Sequence, residues 1–262
     1  MYNYQPVILD THQGKSWQRY TNFSHAAGDA ICPLYGVELA RAALSMPLAF
    51  VEVNGEFIAV AITGLVKGVN LLVNADGRWL TPYVPALVRS YPFNLGVTPT
   101  GARSLCVDAD SKLVVDSKEF EPFFNEDGTL PQAIVEVMQF FKELEGSRQA
   151  TADSIAALKA AGVIVPWDLR VKSGDVEAGI EGLFRIDEAA LNALGDEAFL
   201  SLRKNGALAV AYSQLLSMPH LQTLAGLARA RANNALQSLS SFAPQQTAPT
   251  AADDLATKGT LH

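Results

Sequence analysis

Apolar residues fall in short alternating runs along the first half of the chain and at helical spacing along the second. Leu48 to Val53 and Phe57 to Thr63 flank Asn54-Gly55, a pair that tolerates the positive φ angles of a tight turn, so the two runs are expected to pair antiparallel. Upstream, Leu34, Val37, Ala40 and Leu44 follow the helical period between Pro33 and Ser45, and Pro47 stops the helix. Downstream, Gly64 to Gly68 turns the chain into Asn70 to Val73, and Asn74-Ala75-Asp76-Gly77 turns it again before Arg78-Trp79-Leu80. This predicts a meander of three or four strands. Ser104 to Val107 and Leu113 to Val115 read as short strands around Asp108 to Ser111.

The second half changes period. Thr129-Leu130-Pro131-Gln132 has the spacing of a capping box, and Ile134, Val137, Met138, Phe141 and Leu144 form one apolar stripe on a helix expected to run to about Arg148. Thr151 to Ala161 predicts a second helix ended by Gly162. Trp167 to Lys172 and Gly179 to Ile186 predict another hairpin. Asp187 and Asp196 stand where side chains cap short helices, Ala207 to Leu216 continues the helical content, and Leu221 to Leu239 carries a final amphipathic pattern. That last helix is expected to pack within the molecule, against Ala207 to Leu216. The fold class is α+β, with antiparallel β-meander and hairpins in the N-terminal half packed with a mainly helical C-terminal half. Residues 1–240 read as a single domain with a sub-boundary near 125–150. Residues 241–262, rich in Pro, Ala, Thr and Gln, read as a flexible C-terminal tail.

Composition sharpens the physical class. The chain has 262 residues, 49% apolar and 18% charged, enough to bury a core of its own. A net charge of -7 argues against a nucleic-acid binder, which needs clustered cations to displace phosphate counterions. No apolar run reaches the roughly 18 to 20 residues of a membrane span, so no membrane insertion is expected. MYNYQPVILDTHQ lacks the basic start and apolar stretch of a secretory signal, which suggests the cytoplasm. Cys32 and Cys106, far apart and flanked by apolar residues, read as buried free thiols.

Sequence motifs reject more chemistry than they assign. There is no phosphate loop, no dinucleotide-binding glycine pattern and no nucleophile elbow. The four histidines have no partner at metal-ligand spacing, so neither a metal nor another cofactor is expected. His25, Asp29 and Cys32 could face one way on a helix, which would permit a metal site or a thiolate activated by imidazole; the alternative is a polar helix lead-in with a buried cysteine. Glu119/Glu121 and Asp108/Asp110 read as solvated loop acids.

The block from Asp76 to Leu95, DGRWLTPYVPALVRSYPFNL, gathers rigid aromatic faces and guanidinium groups. Arg78, Trp79, Tyr83, Arg89 and Tyr91 form the candidate binding set. The competing reading makes them core scaffold, with Arg89 satisfying an internal acid such as Asp108. This block, together with FSHAAGDAICPLYGVELARAALSMPLAFVE, FIAVAITGLVKGVNLLV, GLFRIDEAALNAL and LRKNGALAVAYSQLLSMPHL, resembles the bacterial SapC family over roughly Val7 to Arg229. The family's name derives from surface-array genes, and the resemblance carries no catalytic residues to these positions. With the resemblance, the reading is a non-catalytic binding or accessory protein linked to surface-layer or envelope functions, and the aromatic block suggests a peptide or protein segment held near Arg78, Trp79, Tyr83 and Arg89. Relatives occur beside outer-membrane receptor and flavin-dependent halogenase genes. The alternative is therefore an enzyme or enzyme subunit acting on a peptide or small molecule, for example alongside such a halogenase, with His25, Asp29 or Cys32 near the reacting centre. Self-assembly into a homo-oligomer is a third reading.

Overall fold

Asn54 and Gly55 adopt φ angles of 52° and 84°, and Val53 pairs directly with Glu56 across them, so the Asn-Gly turn closes the hairpin expected from the sequence. The computed structural model describes residues 2–98, 101–173 and 176–241. In the N-terminal half the strands are β1 (Tyr4–Pro6), β2 (Ser16–Trp17), β3 (Ile31–Pro33), β4 (Leu48–Val53), β5 (Glu56–Ile62), β6 (Phe93–Val97), β7 (Arg103–Asp108), β8 (Val114–Val115) and β9 (Glu121–Pro122). The long hairpin β10 (Ile164–Ser173) and β11 (Val176–Ile186) follows in the second half. Helices α1 (Leu9–His12), α2 (Leu39–Ala43) and α3 (Ala86–Arg89) are short. The C-terminal half holds α4 (Gln132–Gly146), α5 (Arg148–Ala160), α6 (Glu188–Asn192), α7 (Asp196–Lys204), α8 (Ala207–Ser217) and α9 (His220–Ser241). The α+β class therefore holds.

Three antiparallel sheets organise the strands, in the orders β10-β11-β4-β5-β3, β1-β7-β6 and β8-β2-β9. The five-stranded sheet carries the larger apolar core, with Phe50, Leu48, Ile62 and Leu183 fully buried beneath α5 and α8. Strands β11 and β4 pair only at Leu183↔Val51 and Phe184↔Phe50, and side chains of α8 take over where that ladder ends. Gln214 accepts from Ile186 N at 3.0 Å and donates to Leu48 O at 3.2 Å, while Leu48 N donates to Ser217 Oγ at 2.8 Å. These polar side chains are buried because the sheet leaves backbone groups for them to satisfy.

A second apolar cluster joins the two small sheets to α4 through Trp17, Phe93, Phe123, Ile134, Phe141 and Leu144. Burying each large side chain contributes about 1.5–3 kcal/mol, and Phe93, Phe123 and Phe141 are all at or below 1% exposure. Glu38 binds the two clusters together. Its Oε2 accepts from Tyr35 N at 3.0 Å, and its Oε1 accepts from Ala86 N at 2.6 Å and the Tyr83 hydroxyl at 2.8 Å.

Several sequence expectations need correction. Between Thr63 and Pro85 there is no strand meander, only isolated bridges at Val66↔Val69 and Val73↔Trp79. There Asn70 Nδ2 donates to Ala26 O at 2.9 Å and Leu72 N to Asn70 Oδ1 at 2.9 Å, so a side chain replaces a strand ladder. The capping box at Thr129 does not form. Its hydroxyl donates to Asp127 at 2.7 Å, and Pro131 occupies the cap position. Asp187 does cap α6, accepting from Ala189 N and Ala190 N at 3.0 and 3.1 Å, whereas Asp196 is the first residue of α7 behind Gly195. Helix α9 contacts β10 and buries Leu224 in the larger core. It continues through Ser241, past the expected start of the tail, and residues 242–262 lie outside the described residues.

Candidate functional site

A cleft of about 470 Å³ opens where the small sheets meet α3 and α4. Strand β2 and the residues after it supply Trp17, Arg19 and Tyr20; α3 and the turn to β6 supply Arg89, Ser90 and Tyr91; one face of α4 supplies Glu136, Val137 and Phe140. Each contributor is placed by its own element. Pro85 starts α3, and the cis Tyr91–Pro92 bond follows its end. Strand β2 is held from both sides, Trp17 pairing with Val114 and with Glu121. On α4, Ala133, Val137 and Phe140 follow the helical period and so share a face.

Guanidinium groups lie over rings at this cleft. Arg89 sits 5.4 Å from the Phe140 centroid and 5.9 Å from that of Tyr83, with Nε donating to Val84 O at 3.0 Å. It forms no ion pair among the described residues. Arg19 lies 5.5 Å above the Trp17 ring and reaches Glu121 only at 3.9 Å. Trp17 is 4% exposed, and its indole Nε1 is the one buried side-chain nitrogen or oxygen among the described residues with no hydrogen-bond partner. Its ring meets Phe93 edge to face at 4.8 Å.

Tyr91 also borders a smaller cavity of about 210 Å³, lined by Tyr2, Tyr4, His25, Asp29, Cys32 and Asn94 among others. His25 stacks on Tyr91 with centroids 4.2 Å apart and planes 6° from parallel, and its Nε2 lies 3.1 Å from Val88 O. The Tyr2 hydroxyl contacts Asp29 Oδ2 at 2.6 Å and His25 O at 3.0 Å. Burial lowers the pKa of His25 and raises that of Asp29, which brings both toward their neutral forms. Burial, with the charges of Glu38 and Asp29 behind it, pushes the Cys32 thiol far up, so it stays protonated.

The structure thus brings His25, Asp29 and Cys32 to one cavity, and among the described residues no group of three His, Cys, Asp or Glu side chains could hold a metal ion. Cys32 and Cys106 are buried free thiols, as expected. The aromatic block is divided. Arg89 and Tyr91 line the larger cleft. Tyr83 is half-buried behind Arg89, its hydroxyl held by Glu38 and its pKa pushed up to about 12, first by burial and then by that carboxylate. Trp79 belongs to the core at 7% exposure, with its indole N–H shared between Thr81 Oγ1 and Tyr83 O, each at 2.8 Å. Arg78 is exposed, and its backbone N–H closes the Asn74 turn. Asp108 is not satisfied by Arg89. Its Oδ1 accepts from Asn3 N at 2.9 Å and its Oδ2 from the Tyr91 hydroxyl at 3.0 Å.

Sequence reasoning missed Trp17, Arg19, Tyr20, Phe140 and Glu38. The run Trp17-Gln18-Arg19-Tyr20 mixes ring and cation as the Asp76 to Leu95 block does, and that was the signal to follow.

Three antiparallel sheets with a helical C-terminal half and an aromatic-guanidinium cleft define an α+β protein. The chain belongs to the SapC family, whose model matches residues 9–224. No curated protein and no solved structure matches it. Among the described residues, no helix is long and apolar enough to cross a membrane.

Proposed function

We propose that this SapC-family protein is a non-catalytic binding or accessory factor that holds a peptide or protein segment in the cleft between β2, α3 and α4. The family name supports the surface-layer or envelope-related context. The observation that carries the reading is the cleft itself, where Trp17, Tyr20, Tyr91 and Phe140 offer ring faces and Arg19 and Arg89 offer planar donors around about 470 Å³. Rigid aromatic faces with arginine are the residues that dominate recognition surfaces, because they bring large contact area at low entropy cost. The binding set expected from the sequence narrows to Arg89 and Tyr91, backed by Tyr83, and gains Trp17, Arg19, Tyr20 and Phe140.

The enzyme reading has weaker support. His25, Asp29 and Cys32 share the smaller cavity, but a thiol held protonated is a poor nucleophile.

The test is selection of a random heptapeptide library on immobilised full-length protein, repeated on Phe140→Ala and on Leu216→Ser, a 73% exposed position on α8 that is outside the cleft. Peptides enriched on the wild type and on Leu216→Ser but not on Phe140→Ala support the cleft. Enrichment untouched by Phe140→Ala removes it.

A further inference from the structure

We infer that the segment bound in this cleft presents a carboxylate beside an aromatic side chain, with the carboxylate taken by Arg89 and Arg19. The inference rests on the cleft being the binding site and adds the chemistry of what enters it.

Two observations converge on an anionic group. Arg89 lines the cleft with no carboxylate paired to it among the described residues, in a chain whose net charge is -7. An acidic protein with 27 Asp and Glu residues offers many partners for a guanidinium, so an arginine held over two rings without one is placed for something else. Arg19 has the same arrangement over Trp17, its ion pair to Glu121 stretched to 3.9 Å. A carboxylate is the peptide group that matches a guanidinium fork with two parallel hydrogen bonds.

The rest of the cleft defines the neighbour of that carboxylate. Tyr20, Tyr91, Val137 and Phe140 are ring and aliphatic surfaces suited to an aromatic side chain. Glu136 is the single acid on the lining; it accepts from Gln132 Nε2 at 3.3 Å and repels a second carboxylate on the α4 side. One acidic group at the arginines and an uncharged ring against α4 is the pattern that results. A basic segment would meet two arginines and is disfavoured.

The experiment takes the heptapeptide most enriched on the wild-type protein and compares it with versions in which each Asp or Glu becomes Asn or Gln and the C-terminal carboxylate becomes an amide. Affinities are measured by calorimetry for the wild type, Arg89→Gln and Arg19→Gln, with circular dichroism to confirm the fold of each. Loss of one carboxylate is expected to weaken binding at least about tenfold, the worth of a charge-assisted hydrogen bond, and Arg89→Gln is expected to abolish the difference between acid and amide. Equal binding of acid and amide forms, or enrichment of peptides without any acid, overturns this inference while leaving a peptide cleft in place. Failure of every peptide to enrich overturns both.

Discussion

His25 stacks on Tyr91 at 4.2 Å and 6°, and that pair forms the wall between the larger cleft and the smaller cavity, since Tyr91 lines both and His25 only the second. A side chain moved at one face of Tyr91 is therefore felt at the other. Tyr91→Phe keeps the stack but removes the hydroxyl that donates to the buried Asp108. It should cost about 1–2 kcal/mol in urea unfolding; a change within error would mean that the hydroxyl adds nothing to the wall.

Burial lowers the pKa of His25 and of His12, with Lys15 adding to the effect at His12. A group whose folded pKa lies below its unfolded value near 6.5 contributes stability above that pH, and this is lost as pH falls through the folded pKa. The melting temperature should therefore drop between about pH 7.5 and about pH 5.5, and the drop should shrink in His12→Gln and His25→Gln. Asp29 works in the opposite sense. Burial raises its folded pKa, so its contribution is present at low pH and is lost as pH rises through that value. A pH dependence that is the same in His12→Gln and His25→Gln as in the wild type contradicts the assignment of neutral buried imidazoles.

Glu38 is 2% exposed and accepts three hydrogen bonds from residues of both apolar clusters. Glu38→Ala strands the Tyr35 and Ala86 amides and the Tyr83 hydroxyl, at a cost of about 3–5 kcal/mol. Tyr83→Phe removes a single partner and should cost about 1 kcal/mol. Chemical denaturation separates the two, and similar losses for both variants would refute the joint described for Glu38.

Cys32 and Cys106 have thiols raised by burial. Native protein should resist iodoacetamide, with both sites labelled only in urea. Fast alkylation of Cys32 under native conditions would favour the enzyme reading.

Much of the frame was legible in the sequence because it rests on local chemistry. Asn54-Gly55 specifies its turn, Asp187 caps α6, and Gly162, at φ 70°, ends the chain's turn out of α5. The region after β5 was not, because its order comes from side chains that reach other segments. Asn70 takes the Ala26 carbonyl, and the Thr63 hydroxyl donates to the Asp29 carbonyl. Gly64 shows how tight that packing is, since a Cβ there would fall on the Val69 carbonyl oxygen and 3.3 Å from Ala30 Cα. The cleft was half legible. Arg89 and Tyr91 stood in the aromatic block, but Trp17 reaches them only because a two-residue strand pairs with β8 and β9, about a hundred residues later, and no local pattern announces such pairing. Trp79 misled because a ring that suits a binding surface suits a core equally well.

The most direct test of the cleft is a titration of nitrogen-15-labelled protein with an enriched peptide, following the indole N–H signals of its three tryptophans, Trp17, Trp79 and Trp167. The signal of Trp17, assigned from Trp17→Phe, should move because its ring lines the cleft, while those of Trp79 and Trp167 stay in place. Saturating peptide that leaves the Trp17 signal unmoved, or that shifts Trp79 instead, would contradict the cleft as the binding site.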